Sequence, residues 1–106
     1  MKKKLAVPAA AVVAATAFAI PSGAATTVRV DDDVFRPGSL TVRSGTTVTW
    51  RFVGDSPHNV TVTKGPVKFR SGTKSSGRFS KKMRRGGTYR IVCTVHAGMD
   101  MTLKVR

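Results

Sequence analysis

From Ala25 to Arg106 no stretch of this chain sustains a helical period, while polar and apolar residues alternate in one short run after another. The runs are Thr27–Val30, Leu40–Arg43, Thr46–Phe52, Asn59–Thr63, Arg78–Ser80, Thr88–Val95 and Thr102–Val105. Period-two alternation with β-branched residues predicts half-buried strands. Between the runs lie Arg36-Pro37-Gly38-Ser39, Ser44-Gly45, Gly54-Asp55-Ser56-Pro57, Gly65-Pro66, Ser71-Gly72, Ser75-Ser76-Gly77 and Arg85-Gly86-Gly87. Such clusters turn a chain because Gly tolerates positive φ and Pro fixes φ. About seven short strands at regular spacing predict an all-β antiparallel sandwich or barrel. Trp50 shares its parity with Val48 and Phe52 and is assigned to the core. Lys64–Gly77 reads as a long surface loop with one short strand around Val67–Arg70. Met83, inside Lys81-Lys82-Met83-Arg84-Arg85, reads as part of a solvated turn.

The first residues are of another kind. Met1-Lys2-Lys3-Lys4 is basic, Leu5–Ile20 is apolar and alanine-rich, and Ser22-Gly23-Ala24 supplies small residues. That order describes a Sec-type secretory signal peptide over residues 1–24, with cleavage after Ala24 and with Ala25 or Ala19 as alternatives. A membrane anchor is the competing assignment, but the apolar run ends at Pro21 and is shorter than the roughly 20 residues a span requires. The expected domain is then residues 25–106, in the periplasm, the cell envelope or the extracellular space.

Removing Lys2, Lys3 and Lys4 lowers the basic count from 19 to 16 against five acids, a net charge of +11. Such a surface attracts redox partners with acidic docking surfaces, and anionic envelope or membrane surfaces. A surface charged for solubility is the plain alternative. Nucleic acid is excluded as the expected partner, because no binding motif accompanies the charge and the chain is read as exported. The domain is expected to be a monomer.

A small exported domain often needs a staple, and this one has a single cysteine. Cys93 lies in Tyr89–Met101 (YRIVCTVHAGMDM), together with His96, Met99 and Met101. The other histidine, His58, follows a turn far upstream. One distant imidazole plus Cys-x-x-His-x-x-Met gives two nitrogens, a thiolate and a nearby thioether, a set suited to a trigonal copper site with a weak axial methionine. Thiolate holds Cu(I) strongly, imidazole serves both Cu(I) and Cu(II), and metal binding would protect a lone thiol in an oxidising compartment. Taken singly, each residue has a plainer role: His58 structural, Cys93 a small buried hydrophobe, the methionines core. A nucleophilic cysteine with a histidine base is disfavoured because a small all-β chain leaves little room for a cleft. A structural zinc site normally has four strong ligands.

CTVHAGM preceded by GGTYRIV resembles the copper loop of the small blue copper proteins, the plastocyanin–amicyanin–pseudoazurin group of cupredoxins. SPHNV (Ser56–Val60) is similar to that family's first histidine motif, and Phe35–Trp50 and Ser76–Arg90 resemble its early and late strands. The resemblance spans Thr27–Arg106 and implies a Greek-key β-sandwich. It implies one copper ion held by His58, Cys93 and His96, with Met99 as axial ligand and Met101 as the alternative. Met99 is preferred because Leu103 and Val105 then fall at the family's core positions in the last strand. The resemblance also gives Asn59 and Thr94 a supporting role, bridging the two ligand loops. Val95, Ile91 and Met101 depart from residues common in the family, but none of the three replaces a ligand.

The function implied is not catalysis but the shuttling of single electrons between redox partners through Cu(II)/Cu(I). Electrons would pass at the His96 edge within an apolar rim of Pro57, Val95, Ala97 and Gly98. Two other functions remain open at this point: a copper chaperone or storage protein delivering Cu(I) to an oxidase, and a basic envelope-binding module.

Overall fold

The computed structural model describes residues 25–106; the segment read as a signal peptide lies outside the described residues. The strands are β1 (Ala25–Asp31), β2 (Val34–Arg36), β3 (Ser39–Val42), β4 (Thr46–Phe52), β5 (Thr61–Lys64), β6 (Gly77–Met83), β7 (Gly87–Val92) and β8 (Asp100–Val105). They form two four-stranded sheets, β2-β1-β4-β6 and β3-β8-β7-β5, and the described residues hold no helix.

The sandwich is mixed rather than purely antiparallel, because β1 pairs with β4 and β3 with β8 in parallel. The chain alternates between layers: β3 leaves the first sheet for the second, β4 returns, β5 leaves again. Each crossing lays strands from distant parts of the chain side by side, a relation that alternation within one strand does not encode. β2 also escapes prediction, since three residues are too few to display a period.

Within β4 the parity reading holds. Val48 and Trp50 are fully buried and Phe52 nearly so, while Arg51 is exposed. Burial of an aromatic or branched aliphatic side chain contributes about 1.5–3 kcal/mol, so these positions fix which face of β4 turns inward. Phe69 and Phe79 pack on Trp50 with ring centroids 6.1 and 5.9 Å away. Met83 corrects the sequence reading: it is 2% exposed and ends β6 as a core residue, not in a solvated turn. Its parity matches Phe79 and Lys81, and Lys81 follows that inward direction only by laying its ammonium over the Phe69 ring at 5.6 Å. The basic neighbours masked a strand whose polar residues carry long aliphatic stems.

The segment expected to be a loop folds back along β5. Val62 N–H donates to Phe69 O at 3.0 Å, and Ser71 N–H to Val60 O at 2.8 Å. His58 and Lys74 exchange both backbone bonds, at 3.0 and 2.9 Å. This return fixes the backbone of His58 on one side. β7 delivers Cys93 at its end, one residue after Val92 rather than inside a longer strand.

Candidate metal centre

The ends of these elements bring His58, Cys93, His96 and Met99 to one pole of the sandwich. His58 is fully buried, Cys93 is 4% exposed and Met99 is 2% exposed. Cys93 Sγ lies 3.9 Å from His58 Nδ1. The loop after Cys93 closes on itself: Cys93 N–H donates to Met99 O at 3.0 Å and Met99 N–H to His96 O at 3.3 Å. Gly98 takes φ +80° in that loop, the left-handed region that suits glycine.

The other nitrogen of His58 has its own partner. Nε2 lies 3.1 Å from Asp32 Oδ1, so the proton of a neutral imidazole belongs on Nε2 and the Nδ1 lone pair faces the thiol. Asp32 also accepts from Ser56 N–H at 2.9 Å and Asp55 N–H at 3.1 Å. These contacts hold its carboxyl down to about 2 from 3.8: the Ser56 N–H contributes most, then Asp55, then the His58 hydrogen bond, with desolvation opposing. A depressed carboxyl stabilises the fold above the unfolded-state value, and that contribution is lost as pH falls toward 2. Gly54 makes the arrangement possible, since a Cβ there would lie 2.8 Å from Asp32 N and closer still to Oδ1. Asp32 did not emerge from the sequence; its one signal was the Asp31-Asp32-Asp33 run in a chain with five acids.

His96 is half-buried, and its ring packs on His58 with centroids 4.6 Å apart. Its Nδ1 lies 3.1 Å from Asp33 Oδ1 and its Nε2 3.1 Å from Pro57 O. Neither nitrogen is directed at Cys93. To present one there, the ring must turn and exchange one of these contacts. Among the described residues, no three His, Cys, Asp or Glu side chains are gathered closely enough to grip an ion as they stand.

The two methionines differ. Met101 is buried, and its sulfur accepts from Trp50 Nε1–H at 3.4 Å, on the core side. Met99 is buried in the loop that carries Cys93 and His96, with no such partner among the described residues.

Asn59 joins the two loops. Its Nδ2 donates to Thr94 Oγ1 at 2.8 Å and Thr73 Oγ1 at 3.2 Å. Its Oδ1 accepts from Thr94 N–H at 3.1 Å and Thr61 Oγ1 at 2.9 Å. Both amide atoms are thus used, as a fully buried amide requires. Around the pole, Pro57, Ala97 and Gly98 are exposed, and Val95, at 50%, is the exposed large hydrophobic of the described residues.

The donor set suits copper better than a hard cation. A buried thiol and imidazole are soft and borderline ligands, and a thioether lies in the same loop.

Comparison with known proteins agrees with the fold. The chain superposes with TM-score 0.69 on a purple cupredoxin from Nitrosopumilus maritimus, 21% identical, covering 76% of this chain and 99% of that one. A Cu(I) form of an amicyanin variant superposes with TM-score 0.70 at 28% identity, covering 77% of this chain and 82% of that one. A copper-containing nitrite reductase from Thermus scotoductus gives TM-score 0.68 at 23% identity over 76% of this chain, which spans 22% of that larger enzyme. In sequence, plastocyanin from Scenedesmus fuscus is 31% identical over 85 residues, 69% of this chain and 87% of its own length.

Fold and comparisons together define a cupredoxin, a small blue copper protein. Residues 23–106 match the model of the copper binding proteins of the plastocyanin/azurin family, and the chain belongs to that family. Its members are blue copper electron-transfer proteins that bind one copper ion.

Proposed function

We propose that this protein is an exported type 1 copper protein that carries single electrons between redox partner proteins, with His58, Cys93, His96 and Met99 as the copper ligands. The observation that carries the reading is the 3.9 Å approach of His58 Nδ1 to the lone buried thiol, with the opposite nitrogen anchored on Asp32. Bound copper would supply a one-electron Cu(II)/Cu(I) couple. The chain's own residues do the rest. Asp32 orients the first imidazole, and Asn59 ties its loop to Thr94 beside the thiolate. Neither contact depends on an ion, so two of the donors stand in position beforehand, which lowers the reorganisation that electron transfer requires. Met99 rather than Met101 would supply the thioether to the ion, because the Met101 sulfur is engaged by Trp50. The half-buried His96 and the small residues around it form the edge at which a partner's redox centre would approach. The positive charge suits acidic docking surfaces, and the basic and apolar leader of residues 1–24 supports export.

Addition of Cu(II) to the protein without residues 1–24 tests the reading. An intense blue absorption that is lost in Cys93→Ser is expected, with a reversible redox couple. Met99→Ala should shift the spectrum and the potential much more than Met101→Ala. A colourless protein would refute the site; tight Cu(I) binding without a reversible couple would move the function to copper delivery.

A further inference from the structure

The strand register lines up arginines across the whole width of one sheet. Arg36 on β2 is opposite Arg29 on β1, Arg29 is opposite Arg51 on β4, and Arg51 is opposite Arg78 on β6. All four are exposed and point away from the core, since their strand neighbours Val28, Val30, Phe35, Trp50 and Phe52 are buried. With strands about 4.8 Å apart, the row runs about 14 Å straight across the sheet. Like charges directly opposite one another destabilise a sheet. The chain does little to relieve this. Arg29 has a 3.5 Å contact with Asp31, and among the described residues Arg36, Arg51 and Arg78 form no ion pair. The remaining acids are not placed to help: Asp32 holds His58, Asp33 lies against His96, Asp100 pairs with Arg90, Asp55 in the turn before His58 forms no ion pair among the described residues, and residues 1–24 contain none.

We propose that the Arg36–Arg29–Arg51–Arg78 row is a binding track for a linear polymer of phosphates. Guanidinium groups present paired donors that match phosphate oxygens. The adjoining row across the same face is Thr27, Thr49 and Ser80, with Thr49 and Ser80 hydroxyls 2.8 Å apart, so more hydrogen-bonding groups flank the charges. Among the described residues no large apolar side chain is exposed on this face, and a folded protein partner normally needs an apolar core to its interface. Four of the five strand cations on this face fall in one line, with Lys82 alone outside it, which matches a strand-like polyanion better than a bilayer. The track stands apart from the copper reading, because none of its residues touches His58, Cys93, His96 or Met99.

Poly(glycerol phosphate) is the probe, and phosphatidylglycerol vesicles offer the same chemistry as a surface. Four neutralised phosphates on a flexible strand give a slope of log affinity against log salt of about −3, so a fourfold rise in salt should weaken polymer binding about 50-fold. In the double variant Arg29→Gln/Arg51→Gln the slope should halve, leaving about a 7-fold loss. Lys64→Gln/Lys104→Gln, with the same charge change on the other sheet, should keep the full slope. Removing the two arginines should also raise the melting temperature, since the row repels itself, and this shows that the variant is folded. Cys93→Ser should bind the polymer as the parent does. Equal loss in the two double variants, or binding to vesicles without binding to polymer, would overturn the proposal.

Discussion

Replacing Asn59 with Ala should destabilise the protein far more than a turn asparagine would. The native side chain makes four hydrogen bonds, to Thr94 twice, to Thr73 and to Thr61. A net value of about 1 kcal/mol each sets an upper figure of about 4 kcal/mol. Thr73 and Thr94 are exposed and regain water when Asn59 is gone, which lowers the expected loss to about 2–3 kcal/mol. For a domain of this size that corresponds to a fall in melting temperature of about 10–20 °C. Thr94→Val removes only the hydroxyl contact and should cost about 1 kcal/mol. Because the two residues share bonds, the double variant should show a coupling of about 0.5–1.5 kcal/mol in a double-mutant cycle. Urea unfolding of the metal-free protein gives these values, and alkylation of Cys93 should be faster in Asn59→Ala as the loops separate. A loss below about 0.5 kcal/mol, or additive single variants, would refute the claim that Asn59 ties the two loops together.

Met83→Ala should cost about 2–5 kcal/mol in the same unfolding assay, while Arg84→Ala beside it stays within about 0.5 kcal/mol, separating a core methionine from a solvated turn. Gly54→Ala should push Asp32 off its seat and free His58 Nε2, seen as a changed imidazole resonance and a loss of about 1–3 kcal/mol. Burial raises the Tyr89 phenol above its usual 10.0, against a smaller opposing effect of Arg85, and its hydroxyl donates to Arg85 O at 2.8 Å. Folding therefore favours the neutral phenol, so its contribution is full below pH 10.0 and is lost as pH rises through the folded value. Alkaline melts should show that loss in the parent and a flatter decline in Tyr89→Phe.

Much of the sandwich was legible along the chain, because a strand's two faces differ locally and the difference appears every second residue. β4 is the clear case: Val48, Trp50 and Phe52 announce their burial by spacing alone. Local patterns also gathered Cys93, His96 and Met99, since they lie within one short loop. The order of strands did not follow from any pattern. The parallel pairings of β1 with β4 and β3 with β8 arise when the chain crosses between layers, and a crossing leaves no periodic trace. Asp32 is invisible for the same reason: its value lies in reaching Ser56 and His58 across the pole of the molecule. The arginine row likewise exists only in register, as four residues spread from Arg29 to Arg78 that become neighbours through hydrogen bonding between strands. Sequence settled which face is apolar in strands with clear alternation such as β4, though not at the basic end of β6, and which residue types could take a soft metal. Tertiary structure decided which distant groups meet, because contact across layers depends on the path of the whole backbone.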